Sequence, residues 1–120
     1  MVEFALGVTV FLTLVLGSFD LARAYLAYTV VANAAREAGR YGATHCCATN
    51  WDQAARQAGL NLAIGIDPAS LVLTPTQTTM DGLTYITVSG TYPFHTLTPL
   101  VRALLGDPIN MSVNTSVLAG

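Results

Sequence analysis

Residues 2–44 contain no proline and read as one continuous helix, and its first half has no interior to enter. Glu3 opens it, and the next sixteen positions, FALGVTVFLTLVLGSF (residues 4–19), carry no charge. Beyond Asp20 the pattern becomes LARAYLAYTVVANAAREAGRYG, amphipathic and rich in alanine and glycine. At ~1.5 Å per residue the rod is about 65 Å long. A chain of 120 residues cannot bury it. Something outside must cover residues 2–19: a bilayer, other copies of the chain, or each in turn. The uncharged run falls slightly short of the ~20 residues usual for a spanning helix. Val2 at one end, and snorkelling at the Asp20/Arg23 level at the other, make up the difference.

Charge is sparse. Only 10% of residues are Asp, Glu, Lys or Arg, the net charge is −2, and all five basic residues are arginines. With no basic patch and no recognition motif, nucleic acid is excluded as a partner. An ordinary secretory signal also fits poorly, because no basic residue precedes the apolar run and no small-x-small site closes it. Arg23, Arg36 and Arg40 all follow the run, which by the positive-inside rule alone would place that end in the cytoplasm. A basic leader ahead of Met1, removed after insertion, resolves the conflict and is expected here.

Along the second half of the helix, Leu21, Ala24, Tyr25, Tyr28, Val31, Ala32 and Ala35 form a stripe at helical spacing. Asp20/Arg23 and Glu37/Arg40 are i, i+3 ion pairs, worth a few tenths of a kcal/mol when exposed. Ala35/Gly39 and Ala38/Gly42 are small-xxx-small pairs that admit a close backbone. That backbone is either another helix or the chain's own head. Residues 42–49 are expected to break the helix. Asn50, with Gln53 three positions on, resembles a capping box. Trp51, Ala54, Ala55, Ala58 and Leu62 then give the apolar face of a short helix ended by Gly65 and Asp67-Pro68.

The remainder reads as β. Residues 71–79 and 83–92 flank Met80-Asp81-Gly82, and Asp-Gly is a strong hairpin signal. Pro75 marks the first of these strands as an edge or a bulge, and Pro93 is expected to end the second. Residues 98–105 form a helical turn stopped by Gly106 and Asp107-Pro108. Ile109, Met111, Val113, Thr115 and Val117 alternate with polar residues in a half-buried last strand. The fold class is α+β. Residues 1–44 are a long helix, of which 1–19 serve a membrane or filament core and 20–44 join the head. Residues 45–120 are a small head with one short helix and an antiparallel sheet of three or so strands. Heads of that size are marginal alone, so this one should lean on the second half of the helix.

No catalytic constellation and no cofactor motif is present, so an enzyme is not expected. Cys46 and Cys47 are adjacent and are the only cysteines. Outside the cytoplasm they could form a strained vicinal disulfide, bridge subunits, or stay as thiols shielded by packing. His45 beside them does not make a metal site, since three consecutive residues rarely converge on one ion. The aromatics Phe4, Phe11, Phe19, Tyr25, Tyr28 and Tyr41 are spaced as packing residues. Asn110 and Asn114 head the sequons Asn-Met-Ser and Asn-Thr-Ser and are candidate glycosylation sites on the polar face of their strand.

Several segments together resemble a known family. VEFAL opening an apolar run, then GSFDLARA, then VVANAAREAGRYGA, look like the TadE-like branch of the type IV pilin-like (pilin and pseudopilin) proteins. ITVSGTYPFHTLTPLVRALLG is similar to that family's C-terminal half. The likeness covers roughly residues 2–43 and 84–106. It implies a type IV pilin-like fold and a subunit cleaved by a prepilin peptidase. Such a subunit is stored in the inner membrane and then drawn by pilus-assembly machinery into an extracellular filament of its own copies. It further implies that Glu3 pairs with the N-terminal amine of a neighbouring subunit, the amine carried here by Met1. The family's usual spacing to that acid is slightly longer, so either a residue or two precede Met1 or the cleavage point differs. Phe4, Leu6, Val8 and Phe11, followed by Leu12, Val15, Leu16 and Phe19, would line the membrane segment and then the filament core. The rival expectation is a single-pass anchored protein, with a periplasmic binding head or a minor priming role, that forms no filament itself. The absence of a flexible linker between rod and head weighs against it.

Overall fold

The computed structural model describes residues 1–46, 48–106 and 108–119. Its elements follow in the order α1 (Val2–His45), α2 (Trp51–Leu60), β1 (Val72–Met80), β2 (Leu83–Phe94), α3 (Pro99–Leu105) and β3 (Ile109–Ala119). The long axis is 71 Å against 27 and 18 Å across, because α1 protrudes far beyond the rest. This is the α+β, pilin-like arrangement expected: a long apolar helix, a short helix and a three-stranded antiparallel sheet.

The helix does not break at Gly42. It runs on to His45, and Gly42 is buried within it. Gly42 lies against the head because a Cβ there would stand 3.0 Å from Ile86 and 3.1 Å from the Trp51 ring. At Gly39 a Cβ would stand 3.1 Å from Val117. The two small-xxx-small pairs therefore seat the chain's own head, both the sheet and α2, rather than the helix of another copy. The buried face of α1 is Ala27, Val31, Ala32, Ala34, Ala35, Ala38, Gly39, Gly42 and Ala43, with Asp20 apart from them. It departs from the expected stripe, since Leu21, Tyr25 and Tyr28 are exposed. The sheet takes the narrow alanine side, where the helix backbone comes nearest, and leaves the bulky side outward.

The sheet order is β1-β2-β3, so β1 with Pro75 is an edge strand. Met80 pairs with Leu83, leaving Asp81 (φ 53°) and Gly82 (φ 78°) as a two-residue turn with both residues left-handed. That is the backbone a tight hairpin demands and Asp-Gly supplies. β2 does not stop at Pro93. It continues to Phe94, with Pro93 opposite Asn110. Beyond Thr91 it has β3 alone as a neighbour, and a residue without an N–H is tolerated where only one side is paired. Side chains of β3 alternate half-buried and exposed throughout.

α2 is shorter than expected, ending at Leu60, with Leu62 exposed beyond it. Asn50 does precede it, but in a left-handed conformation (φ 60°) with no side-chain cap bond. What fixes α2 is contact. Ala55 and Gly59 are buried, and Arg56 Nε donates to the Leu73 carbonyl at 2.9 Å, tying α2 to the β1 edge. Val31, Leu73, Ile86 and Val88 are fully buried between α1 and the sheet. Each such side chain contributes roughly 1.5–3 kcal/mol on leaving water.

Gly59 is the tightest point of this packing. A Cβ there would stand 2.6 Å from the Ala34 carbonyl oxygen and 2.6 Å from Leu73 Cδ1. Gly59→Ala is expected to destabilise the head by about 1–3 kcal/mol, the usual cost of overpacking. Gly7→Ala, at a position with open space around it, should cost nothing. Urea titration of both variants in detergent, followed by Trp51 fluorescence, measures the difference.

Candidate functional site

An 18-residue stretch of α1 is long and apolar enough to cross a membrane, and none of it is buried by the rest of the molecule. Met1, Glu3, Phe4, Leu6, Val8, Phe11, Leu12, Leu16 and Phe19 are exposed, and Val15 is half-shielded by its own helix. Phe4 keeps 76% of its surface. So much bare apolar area on one side of a small protein marks an interaction surface.

The polar residues inside this run do not spoil it. Thr9, Thr13 and Ser18 each donate their hydroxyl to the carbonyl four residues back, at 2.8 Å in every case. No hydroxyl proton is left facing outward. In hydrocarbon, where an unsatisfied donor is costly, the helix closes its own polar ledger. Glu3 sits in the first turn, where an acid faces the positive end of the helix dipole. It belongs to neither of the ion pairs found among the described residues.

The apolar run ends at a junction that sequence reading misjudged. Asp20 and Arg23 do meet, at 3.2 Å, but this is not an exposed surface pair. Asp20 is buried, with 3% of its surface accessible. One carboxylate oxygen accepts the Leu97 amide at 3.1 Å, the other the Thr98 amide at 2.7 Å. The Thr98 hydroxyl and amide do most to hold the carboxyl below the usual carboxylate range. Burial pushes the other way, and the Leu97 amide and Arg23 add to the lowering. These amides lie at the start of α3, whose N-cap Thr98 makes no side-chain cap bond of its own. Asp20 thus serves as the acceptor for a helix start that lies 77 and 78 residues away. The faint signal in the sequence is Thr98-Pro99, a helix start with no acid in its first turn. Nothing local pairs it with Asp20.

Around the clasp, Arg23 stacks its guanidinium over Phe94, 5.3 Å from the ring centre. Arg102 donates to the Thr96 carbonyl at 2.9 Å, pinning the turn that carries α3. Glu37 and Arg40 pair at 2.6 Å on the outer face of α1, and the Arg40 guanidinium lowers the Glu37 carboxyl. At the far end of α1, His45 stacks on Tyr41 with ring centres 4.1 Å apart. Cys46 is half-buried against the core. Cys47 lies outside the described residues, so the pairing of the two cysteines does as well. Asn110 and Asn114 are exposed on the outer face of β3.

The structure therefore brings together an apolar rod, a buried acid at its end and a leucine-rich helical turn docked on that acid. Cys46 lies at the other end of α1 from that junction. Residues 1–40 match the family model described as TadE-like protein, consistent with a TadE-like, pilin-like chain. Comparison with curated proteins and with solved structures found no match. The match and the bare apolar helix point to membrane anchoring and association with a pilus.

Because its folded-state value is depressed, the Asp20 clasp contributes fully above the ordinary carboxylate range. That contribution is lost as the pH falls through the lowered value of the folded protein. Hydrogen exchange at the Leu97 and Thr98 amides, corrected for intrinsic rates, should show protection at neutral pH that disappears in this acid range. Asp20→Ala should abolish the same protection at every pH while leaving the sheet amides protected.

Proposed function

We propose that this chain is a structural subunit of an extracellular, pilus-like helical filament, held in the inner membrane by residues 2–19 until assembly. The observation that carries this reading is the unburied apolar rod. It has no cover within its own fold, and lipid and neighbouring rods are the two surroundings that suit it. Continuity of α1 from rod to head supports polymerisation over simple tethering. The head is locked to residues 27–43 of the same helix, so bundling the rods sets the heads around the bundle as an outer wall. In this reading the head corresponds to residues 45–120, carried by the rod of residues 1–44.

Glu3 has a specific task in this scheme. In the membrane it sits at the headgroup level. In a filament core it loses that water, and an unpaired buried charge costs several kcal/mol. The Met1 ammonium of a neighbouring copy is its natural partner, fixing the axial step between subunits. The TadE-like match over the first third of the chain supports a prepilin peptidase and pilus-assembly machinery as further partners.

Glu3→Ala is expected to leave membrane insertion intact and to reduce filament yield severalfold. Carbonate extraction of membranes measures the first, and electron microscopy of material sheared from the cell surface measures the second. Wild-type cells that hold the protein only in membranes and shed no fibres would favour a tethered or priming role instead.

A further inference from the structure

We infer that residues 97–105 form a foot that rests in the lipid interface of the head-side leaflet. The inference builds on the membrane-stored form proposed above. Residues 2–19 span about 27 Å at ~1.5 Å per residue, close to the ~30 Å of a bilayer's hydrocarbon core. With Glu3 at one headgroup level, the opposite boundary falls at Asp20. That residue is the one holding the Leu97 and Thr98 amides. The clasp therefore fixes the start of α3 at the depth where hydrocarbon gives way to water.

The segment suits that depth. Leu97, Pro99 and Thr98 share a groove with Leu16 and Phe19, one turn into the apolar run. Val101 and Leu105 share another with Gly17 and Leu21. α3 buries none of its residues, and Leu97, Leu100, Leu104 and Leu105 keep between 51% and 74% of their surface exposed. Leu100 and Leu104, at i and i+4, share one helical face, and Leu97 precedes the helix. Arg102, two positions from Leu100 and so on the opposite side, is the segment's only charged residue. It is a short amphipathic element: Leu100 and Leu104 one way, a guanidinium the other, as expected of a helix lying in the plane of a bilayer.

Continuity selects lipid as the occupant. The exposed leucines extend the surface of Leu16 and Phe19, which is already that of the membrane rod. A foot at this level holds the head upright against the leaflet and covers leucines that water would penalise. It also means that leaving the bilayer must free α3 along with the rod.

Trp51 lies beside Gly42, about 33 Å along the helix from Asp20 at ~1.5 Å per residue. It is an internal reference outside the bilayer. Full-length L104W and L83W are reconstituted in phosphatidylcholine/phosphatidylglycerol vesicles at one chain per vesicle, with and without lipids brominated near the headgroup. The added L104W emission should be blue-shifted, lose most of its intensity to brominated lipid and resist aqueous iodide. L83W, at the exposed hairpin, should behave in the opposite way. Iodide quenching of L104W without bromolipid quenching, in chains that float with vesicles, overturns the inference and leaves anchoring standing. Repeating the measurement at many chains per vesicle supplies the last arm: shielding of L104W from both quenchers there, absent at one chain per vesicle, assigns the leucines to a second copy and overturns the inference as well. Failure to float with vesicles removes the anchoring reading and this inference together.

Discussion

Everything in this molecule depends on one helix being served by two surroundings. From residue 27 onward α1 offers alanine and glycine to its own sheet, and the backbones approach closely enough that a methyl group at Gly39 or Gly42 would crowd Val117, Ile86 or Trp51. Ahead of Asp20 the same helix leaves its phenylalanines and leucines exposed. Close packing of small residues gives the head a rigid seat. Bare large residues give the rod its need for lipid or for neighbours. The head is not attached to an anchor. It is built on the far end of it.

Asp20 stands where these two regimes meet. A carboxylate at the end of an apolar run looks like a simple boundary marker, able to reach water beside Arg23. Instead the loop before α3 folds back over it and supplies two amides and a hydroxyl. Charge-assisted bonds of this kind are stronger than neutral ones. They bind the last third of the chain to the rod at a fixed height, and they keep a charge available at that height without exposing it. The leucines carried by α3 then have a defined position relative to the apolar run.

The polar residues of the run follow the same economy. Threonine and serine would be liabilities in hydrocarbon if their hydroxyls pointed outward. Bonded to carbonyls one turn back, they become part of the helix. A surface suited to lipid is for that reason also suited to packing against identical helices. Both environments reward the same property: no unsatisfied donor and ample apolar area.

The long helix, its uncharged first half, the Asp-Gly hairpin, the alternating last strand and the α+β class were all legible in the residues. Each rests on local periodicity or turn chemistry, which sequence carries directly. The break at Gly42 and the stop at Pro93 were misread because each is settled by packing or pairing outside its own segment, and the capping box at Asn50 because that residue takes a left-handed conformation. Trp51 and Ile86 fill the space beside Gly42, and Pro93 is spared because β1 has already ended. Whether the small residues received a foreign helix or the chain's own head was open in one dimension, since both partners want the same groove. The buried role of Asp20 was hidden for the most basic reason: its donors lie 77 and 78 residues further on. Sequence alone determined that this rod needs a cover. Only the tertiary structure decided which face of its second half the protein covers itself, because burial is a property of elements brought together across the chain.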